Sequence, residues 1–526
     1  MKLITRLQKV FFTGQALSSA TAILIYLAAV KLLIHLLTAN NYGYFGDEFY
    51  WLAMGEHLDY GYVDVPPLVA YIGAFWRLFF GASLLAIRLL PALAGAMTVF
   101  LAGRLARELG GGRFAQGFTA LMVLAGPSWL TLNSWFAYDS FDQLCSVLFF
   151  YQTARLTNLE TPGRWLGLGL IAGLGAMTKL SMIFTAGAFA LAWLSVSRRQ
   201  SFRTRWPWLA GVIAILLCTP FIVWQTVHQW PLLTYIHNYN LARPHPGPLD
   251  FLLQIVWAQN PILLPLWLTG LFCLIWGREG KQYRILGLTF LILLTFFMVV
   301  MKMESRMLFS AFFPLLAGGA VWLERSFDKW AIRWRGINWF KPAYPLLVIL
   351  SGALLAIGTL PLLPIKTLTR YLSSVSPVAK QEVYGNTLPL QIAFRFGWPE
   401  MVKEVAKIYQ SLPETERKNC LIWAGHYAEA GAIDLLGQKY GLPKAVCNHL
   451  SYHFWVPGPA VAKAEVVIMF GNESHDPYLI FDEVTPVPRI KGHPYAVKWE
   501  RNLPIYICRK PKIPIPEIWT KYANFR

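Results

Sequence analysis

Long apolar runs alternate with short polar turns over the first 364 residues, and the sign of the charge in those turns alternates as well. An apolar run of about 18 residues or more is the length of a membrane-crossing helix. Read this way, the chain crosses at about 11–37, 85–103, 114–132, 143–157, 165–178, 181–197, 207–228, 251–276, 285–301, 307–323 and 343–364. Turns at Arg104 to Arg113, Arg155 to Arg164, Arg198 to Arg205, Arg278 to Arg284 and Arg325 to Lys341 hold most of the cations of this region. Lys and Arg gather on the cytoplasmic side of membrane proteins, which orients every span. The intervening turns, richer in Asp and Glu, then face outward, and about eleven spans, thirteen at most, leave the C-terminus outside.

Two segments depart from that pattern. LVAYIGAFWRLFFG follows Pro66 and Pro67, is short for a crossing and carries Arg77, so it reads as a helix lying in the outer interface. From 365 to 526 the apolar runs shorten. Met401, Val402, Val405, Ile408 and Leu412 recur at helical spacing behind Pro399. CLIWAG, VVIMF and IYIC read as strands, and AEAGAIDLLGQKYG as a helix closed by Gly441 and Pro443. The expectation is a polytopic α-helical membrane domain over 1–364, with a first outer loop at about 38–84 containing interfacial helices. A soluble extracytoplasmic α/β domain over 365–526 follows, with a structural or recognition role. It shows no nucleophile elbow, phosphate loop or zinc pattern.

Composition fits this division. The 526 residues are 56% hydrophobic and 14% charged, against about 25% charged in soluble domains. The 22 Trp and 23 Tyr suit interfacial belts. A formal charge of +19 raises the question of nucleic acid, but the cations sit in one set of turns and no binding motif accompanies them, which excludes it. The basic start leads into an apolar run too long for a cleavable signal peptide. Cys145, Cys218 and Cys273 lie in apolar segments; Cys420, Cys447 and Cys508 lie in the tail, an odd number that allows one disulfide at most.

The chemistry concentrates in NNYGYFGDEFYWLAMGEHLDYGYVDVPP, residues 40–67, where Asp47, Glu48, Glu56, Asp59 and Asp64 stand among aromatics. Other outward turns add Asp139, Asp142, Lys179, His237, Arg243, Lys302 and Arg306. Carboxylates can act as a general base or hold a metal, and the cations can hold a phosphate at lipid-headgroup depth. Each residue also has a plainer reading: acids in a helix first turn, lysines reaching for the interface, cations on lipid headgroups. Glu56 and Asp59 read as solvated acids. His245, His426, His449 and His453 read as loop or tail structure.

GDEFYWLAMGEHLDYGYVDVPPLVAYI resembles the first outer loop of bacterial integral-membrane glycosyltransferases of the GT-C class. Its nearest kin there are the protein O-mannosyltransferases and the lipid A aminoarabinose transferases. The resemblance continues through AYDSFD, GLGAMTKLS, the HN-containing loop and KMESRMLFSAFFP, and so covers most of 1–330; GHYAEAGAIDLLGQKYGLP resembles the outer domain of some relatives. It implies the GT-C fold and transfer of a hexose or pentose from a polyprenyl-phosphate donor, with inversion, at the outer face of a bacterial inner membrane. The acceptor would be a glycolipid, a protein or a cell-envelope glycan. Asp47 matches the catalytic base, with Glu48 beside it and Asp139 from the second outer loop. Lys179, Lys302 and Arg306 match a clamp for the donor phosphate. Asp64, and more loosely His237, match metal-binding or donor-positioning residues. No cofactor is required by the motifs, and a divalent metal is left open. Val65 stands where many relatives carry Lys or His. The competing reading is a transporter or flippase of a lipid-linked sugar; the acids sit at the outer face and no internal repeat is found, which favours the enzyme.

Overall fold

The computed structural model describes all residues except 1–18, 197–198, 243–245, 279, 301–303, 334–338, 376–387, 457, 459–460, 462–463, 472–475 and 526. Lys302 and Arg243 therefore lie outside the described residues, as does the start of the first expected span.

Helix α1 (Ala20–Thr38) is followed by two short helices, α2 (Gly46–Glu56) and α3 (Leu68–Phe80). Helix α4 (Leu84–Glu108) then runs the length of the bundle, and α5 (Arg113–Ala125) returns. The sequence predicts one span over 114–132, yet Gly126 and Pro127 break it: a second piece, α6 (Pro127–Leu132), begins with proline at its first turn. Helices α7 (Tyr138–Asn158), α8 (Pro162–Ala176), α9 (Ser181–Ser195) and α10 (Trp206–Val227) continue the bundle. The expected loop after residue 228 contains helix α11 (Pro231–Ala242). The expected single span at 251–276 is two helices, α12 (Pro248–Ala258) and a piece from Pro261 that becomes α13 (Leu264–Trp276), bent by 98°. Pro261 and Pro265 cannot donate to a continuous helical ladder, and Asn260 at φ +71° turns the chain. Helix α14 (Arg284–Thr295) precedes a 3-10 turn at Ser305–Ala311, α15 (Phe313–Arg333) and α16 (Phe340–Thr359).

Five of the described helices are long and apolar enough to cross a membrane, or seven if two bent pairs are each taken as one span. Other helices are less apolar for a physical reason. The inner face of α7 is polar, with Asp139, Ser140, Asp142, Gln143, Ser146, Gln152 and Thr153 all buried within the protein. Small residues let the helices pack close. A Cβ on Gly270 would lie 1.9 Å from the Leu315 carbonyl oxygen, so α13 and α15 touch backbone to backbone. One end of the bundle gathers Glu108, Asn158, Tyr283 and Glu324 at the turns rich in arginine. The opposite end carries α2, α3 and everything after α16.

There, α17 (Ile365–Val375) leads into α18 (Trp398–Ser411) and a five-stranded sheet. The strands are β1 (Cys420–Ala424), β2 (Ala445–Cys447), β3 (Val466–Phe470), β4 (Phe481–Lys491) and β5 (Asn502–Pro511), ordered β2-β1-β3-β5-β4. The first three are parallel and the last two antiparallel. Between β1 and β2 lies α19 (Tyr427–Leu436), which packs against α2. One apolar cluster accordingly runs from Phe45 and Phe49 through Trp135 to Trp398, Ile422 and Ile468, joining the first loop to the sheet. Cys420, Cys447 and Cys508 lie on three separate strands and are not joined by a disulfide.

Candidate active site

Helix α2 begins where it does because Glu48, its third residue, turns back on the chain. Its Oε2 accepts from the Phe45 N–H at 2.8 Å and from Arg88 Nη2 at 2.6 Å. Its Oε1 accepts from Arg88 Nε at 2.9 Å and from the Phe136 N–H at 2.9 Å. Glu48 is fully buried and Arg88 nearly so. With four donors on two oxygens, Glu48 has no lone pair directed at a substrate. It joins the first loop, α4 and the second loop, and this corrects its expected place in a catalytic Asp-Glu pair.

Asp47, the preceding residue, points the other way. Tyr427, the first residue of α19, donates to Asp47 Oδ1 at 2.7 Å. Burial raises the Asp47 pKa, while the Tyr427 bond and the charges of Arg306 and His426 pull it back. Asp64 is held similarly. The Tyr50 hydroxyl donates to its Oδ1 at 2.9 Å and stands 2.8 Å from Ser451 Oγ, which also accepts from the Val63 N–H. Burial, with a smaller push from the negative charge of Asp47, raises Asp64 to about 7. Both carboxylates keep part of their surface exposed, so they line a cleft rather than a core.

Asp139 lies in the first turn of α7, where Ala137 is the cap, and its Oδ1 accepts from Lys179 Nζ at 2.7 Å. Lys179 also sits 4.8 Å over the Tyr138 ring. Asp142, a turn further, accepts from Ser181 at 2.6 Å and Ser310 at 2.8 Å. Arg306 pairs with Glu304 at 2.7 Å and donates to the Tyr239 hydroxyl at 3.3 Å. Its charge reaches both Asp47 and Asp139. The structure thus brings Asp47, Asp64, Asp139, Lys179 and Arg306 around one cleft. His237 does not join them. It is exposed on α11, while Tyr235 and Tyr239, two residues to either side, face the acids. Residues two apart on a helix point roughly 200° apart, so placing the tyrosines inward turns the histidine outward.

Sequence reasoning missed the phenols. Tyr50, Tyr138, Tyr235, Tyr239 and Tyr427 line the cleft; the i, i+4 spacing of Tyr235 and Tyr239 and the Tyr in GHYAEAG were the available signals. Glu56 and Asp59 are not simply solvated. Glu56 bridges Arg77 at 3.0 Å and Lys444 at 2.7 Å, and Asp59 accepts from the Trp224 indole at 2.8 Å. His426 caps α19 through Nδ1 and holds Glu500 at 2.7 Å through Nε2, beside Glu429, which burial raises to about 8. The tail therefore reaches the cleft through Tyr427 and Ser451.

The fold is that of ArnT from Cupriavidus metallidurans. The structure bound to undecaprenyl phosphate matches with a TM-score of 0.59 at 16% identity, over 93% of this chain and 98% of that one. The apo structure matches equally, with TM-score 0.59 over 91% and 97%. Residues 64–224 match the family described as dolichyl-phosphate-mannose-protein mannosyltransferase. The lipid A galacturonosyltransferase RgtD of Rhizobium johnstonii is 24% identical over 333 residues, 60% of this chain and 67% of its own. The chain thus resembles the GT-C glycosyltransferases, in fold over nearly its whole length and in family over residues 64–224. The matched segment contains Asp64, Asp139 and Lys179, three residues of the cleft.

Proposed function

We propose that this protein is a glycosyltransferase that moves a sugar from a polyprenyl-phosphate-linked donor to an acceptor hydroxyl or phosphate at the outer membrane face, inverting the anomeric carbon. One observation carries the reading: Tyr427 fixes one oxygen of Asp47 in a cleft where Arg306 supplies positive charge. Two named relatives support it, one solved with undecaprenyl phosphate and one named for lipid A. The acceptor hydroxyl gives its proton to the free oxygen of Asp47 as its own oxygen bonds to sugar C1. The bond from C1 to the phosphate oxygen breaks, and its electron pair leaves with the polyprenyl phosphate. Arg306 and Lys302 balance that charge where it develops. Lys179 is held by Asp139 and joins the clamp by turning from that carboxylate to the phosphate.

Asp64 forms no ion pair among the described residues, and its hard carboxylate oxygens, one of them backed by the Tyr50 phenol, would hold a divalent cation. Such an ion would supply further charge stabilisation to the leaving phosphate. Around eleven crossings, with the cleft and the C-terminal layer on the periplasmic side of an inner membrane, complete the proposal. The test is release of polyprenyl phosphate from a labelled polyprenyl-phosphate sugar by membranes containing the protein. Asp47→Asn is expected to slow release by about 10²-fold or more at unchanged expression. Donor carried across the bilayer uncleaved would replace the transferase with the flippase reading.

A further inference from the structure

Lys31 lies in the middle of α1, one of the helices apolar enough to cross a membrane, and is fully buried. Its ammonium donates to the Trp129 carbonyl at 2.7 Å and forms no ion pair with any described carboxylate. One turn on, on the same face, His35 is 3% exposed, with neither ring nitrogen partnered. Asn133 stands beside Lys31: a Cβ on Gly95 would meet Asn133 Oδ1 at 2.5 Å and Lys31 Cε at 3.1 Å. Asn133 donates to Ser140 and Gln143, both at 3.1 Å, leaving Gln143 Nε2 unpartnered. The next residue, Ser134, accepts from Arg395, which is 1% exposed and has Nη1 unpartnered. The charges of Lys31 and Arg395 both reach His35.

Buried polar atoms are nearly always hydrogen-bonded, and an uncompensated charge in a membrane interior is costly. Here two basic side chains and spare N–H groups of a histidine, a glutamine and an arginine lie on adjoining segments, whereas the unpartnered acceptors of these described residues are Asn133 Oδ1 and one imidazole nitrogen. Water would suit a balanced set of donors and acceptors. A donor-rich cluster of basic side chains suits an anion, and its burial favours a small one. We propose that Lys31, His35, Gln143 and Arg395 bind a small monovalent inorganic anion, with chloride as the natural probe. The anion neutralises the pocket and ties α1 to the segment 129–143 that presents Asp139. This site is separate from the sugar-transfer cleft, and its test does not depend on activity.

Detergent-purified full-length protein is unfolded thermally in chloride and in gluconate at equal ionic strength, and crystals grown in bromide are examined for anomalous scattering. Chloride is expected to raise the midpoint by about 2 °C or more over gluconate, with a bromide peak next to Lys31. Lys31→Met is expected to lose the difference. His35→Glu, which supplies an internal carboxylate one turn from Lys31, is expected to stay folded and become insensitive to halide. Equal midpoints in the two salts, an undiminished halide effect in both variants, or only water density beside Lys31 would overturn the proposal.

Discussion

A carboxylate works as a base only when ionised, and the cleft acids are tuned by opposing effects on that ionisation. Burial raises Asp47, while the Tyr427 hydroxyl stabilises its charged form. Removing the hydroxyl removes the stabilisation. Tyr427→Phe is therefore expected to move the acidic limb of the pH–rate profile upward by about one unit, with the rate recovering at high pH; a variant that had merely lost its structure would not recover. Asp64, raised to about 7, binds its proton more tightly folded than unfolded. It therefore favours the fold most at pH below about 4, and that contribution is lost as the pH rises through about 7. Asp64→Asn is expected to raise the thermal midpoint at pH 8 relative to wild type, with less gain at pH 5. The acids were legible in sequence because ionised groups are scarce in so apolar a chain. Their phenol partners were not, because tyrosine is equally at home in an interfacial belt and in an active site.

At the level of elements, the site depends on how α2 is held. The Glu48–Arg88 pair fixes its first turn, and breaking a buried pair leaves the remaining charge unpartnered. Glu48→Gln is expected to cost about 3–5 kcal/mol in unfolding measurements, and replacing both partners with apolar residues of similar volume to restore much of it. On its other side α2 meets α19, where a Cβ on Gly431 would lie 2.7 Å from Phe49 Cβ and 3.1 Å from the Phe49 carbonyl group. Because part of that contact is backbone, it cannot turn aside. Gly431→Ala is expected to push Tyr427 off Asp47 and lower transfer about tenfold or more, while the protein stays soluble in detergent. Apolar periodicity located most helices near their observed bounds. It did not locate the breaks at Gly126 and Asn260, where proline and a left-handed backbone override an otherwise unbroken apolar run, nor did it assign the inward face of α11.

Across the whole molecule, the cleft is closed by segments 380 and 401 residues apart. Asp47 meets Tyr427, and Tyr50 meets Ser451. A purely recognition role for the tail would leave basal chemistry intact without these contacts. Replacing Tyr427 and Ser451 together, with Phe and Ala, is instead expected to lower transfer to any acceptor, measured as polyprenyl phosphate release. Hydrophobic length, the alternation of charge between turns and the rarity of acids are properties of single segments, so the sequence by itself determined that the chain is a helical membrane protein with an acidic, aromatic first loop. Which carboxylate is consumed by a buried arginine, which side of a helix faces the acids, and which tail residue meets Asp47 depend on contacts between distant segments. Those contacts are set by packing in three dimensions, and the tertiary structure alone decided them.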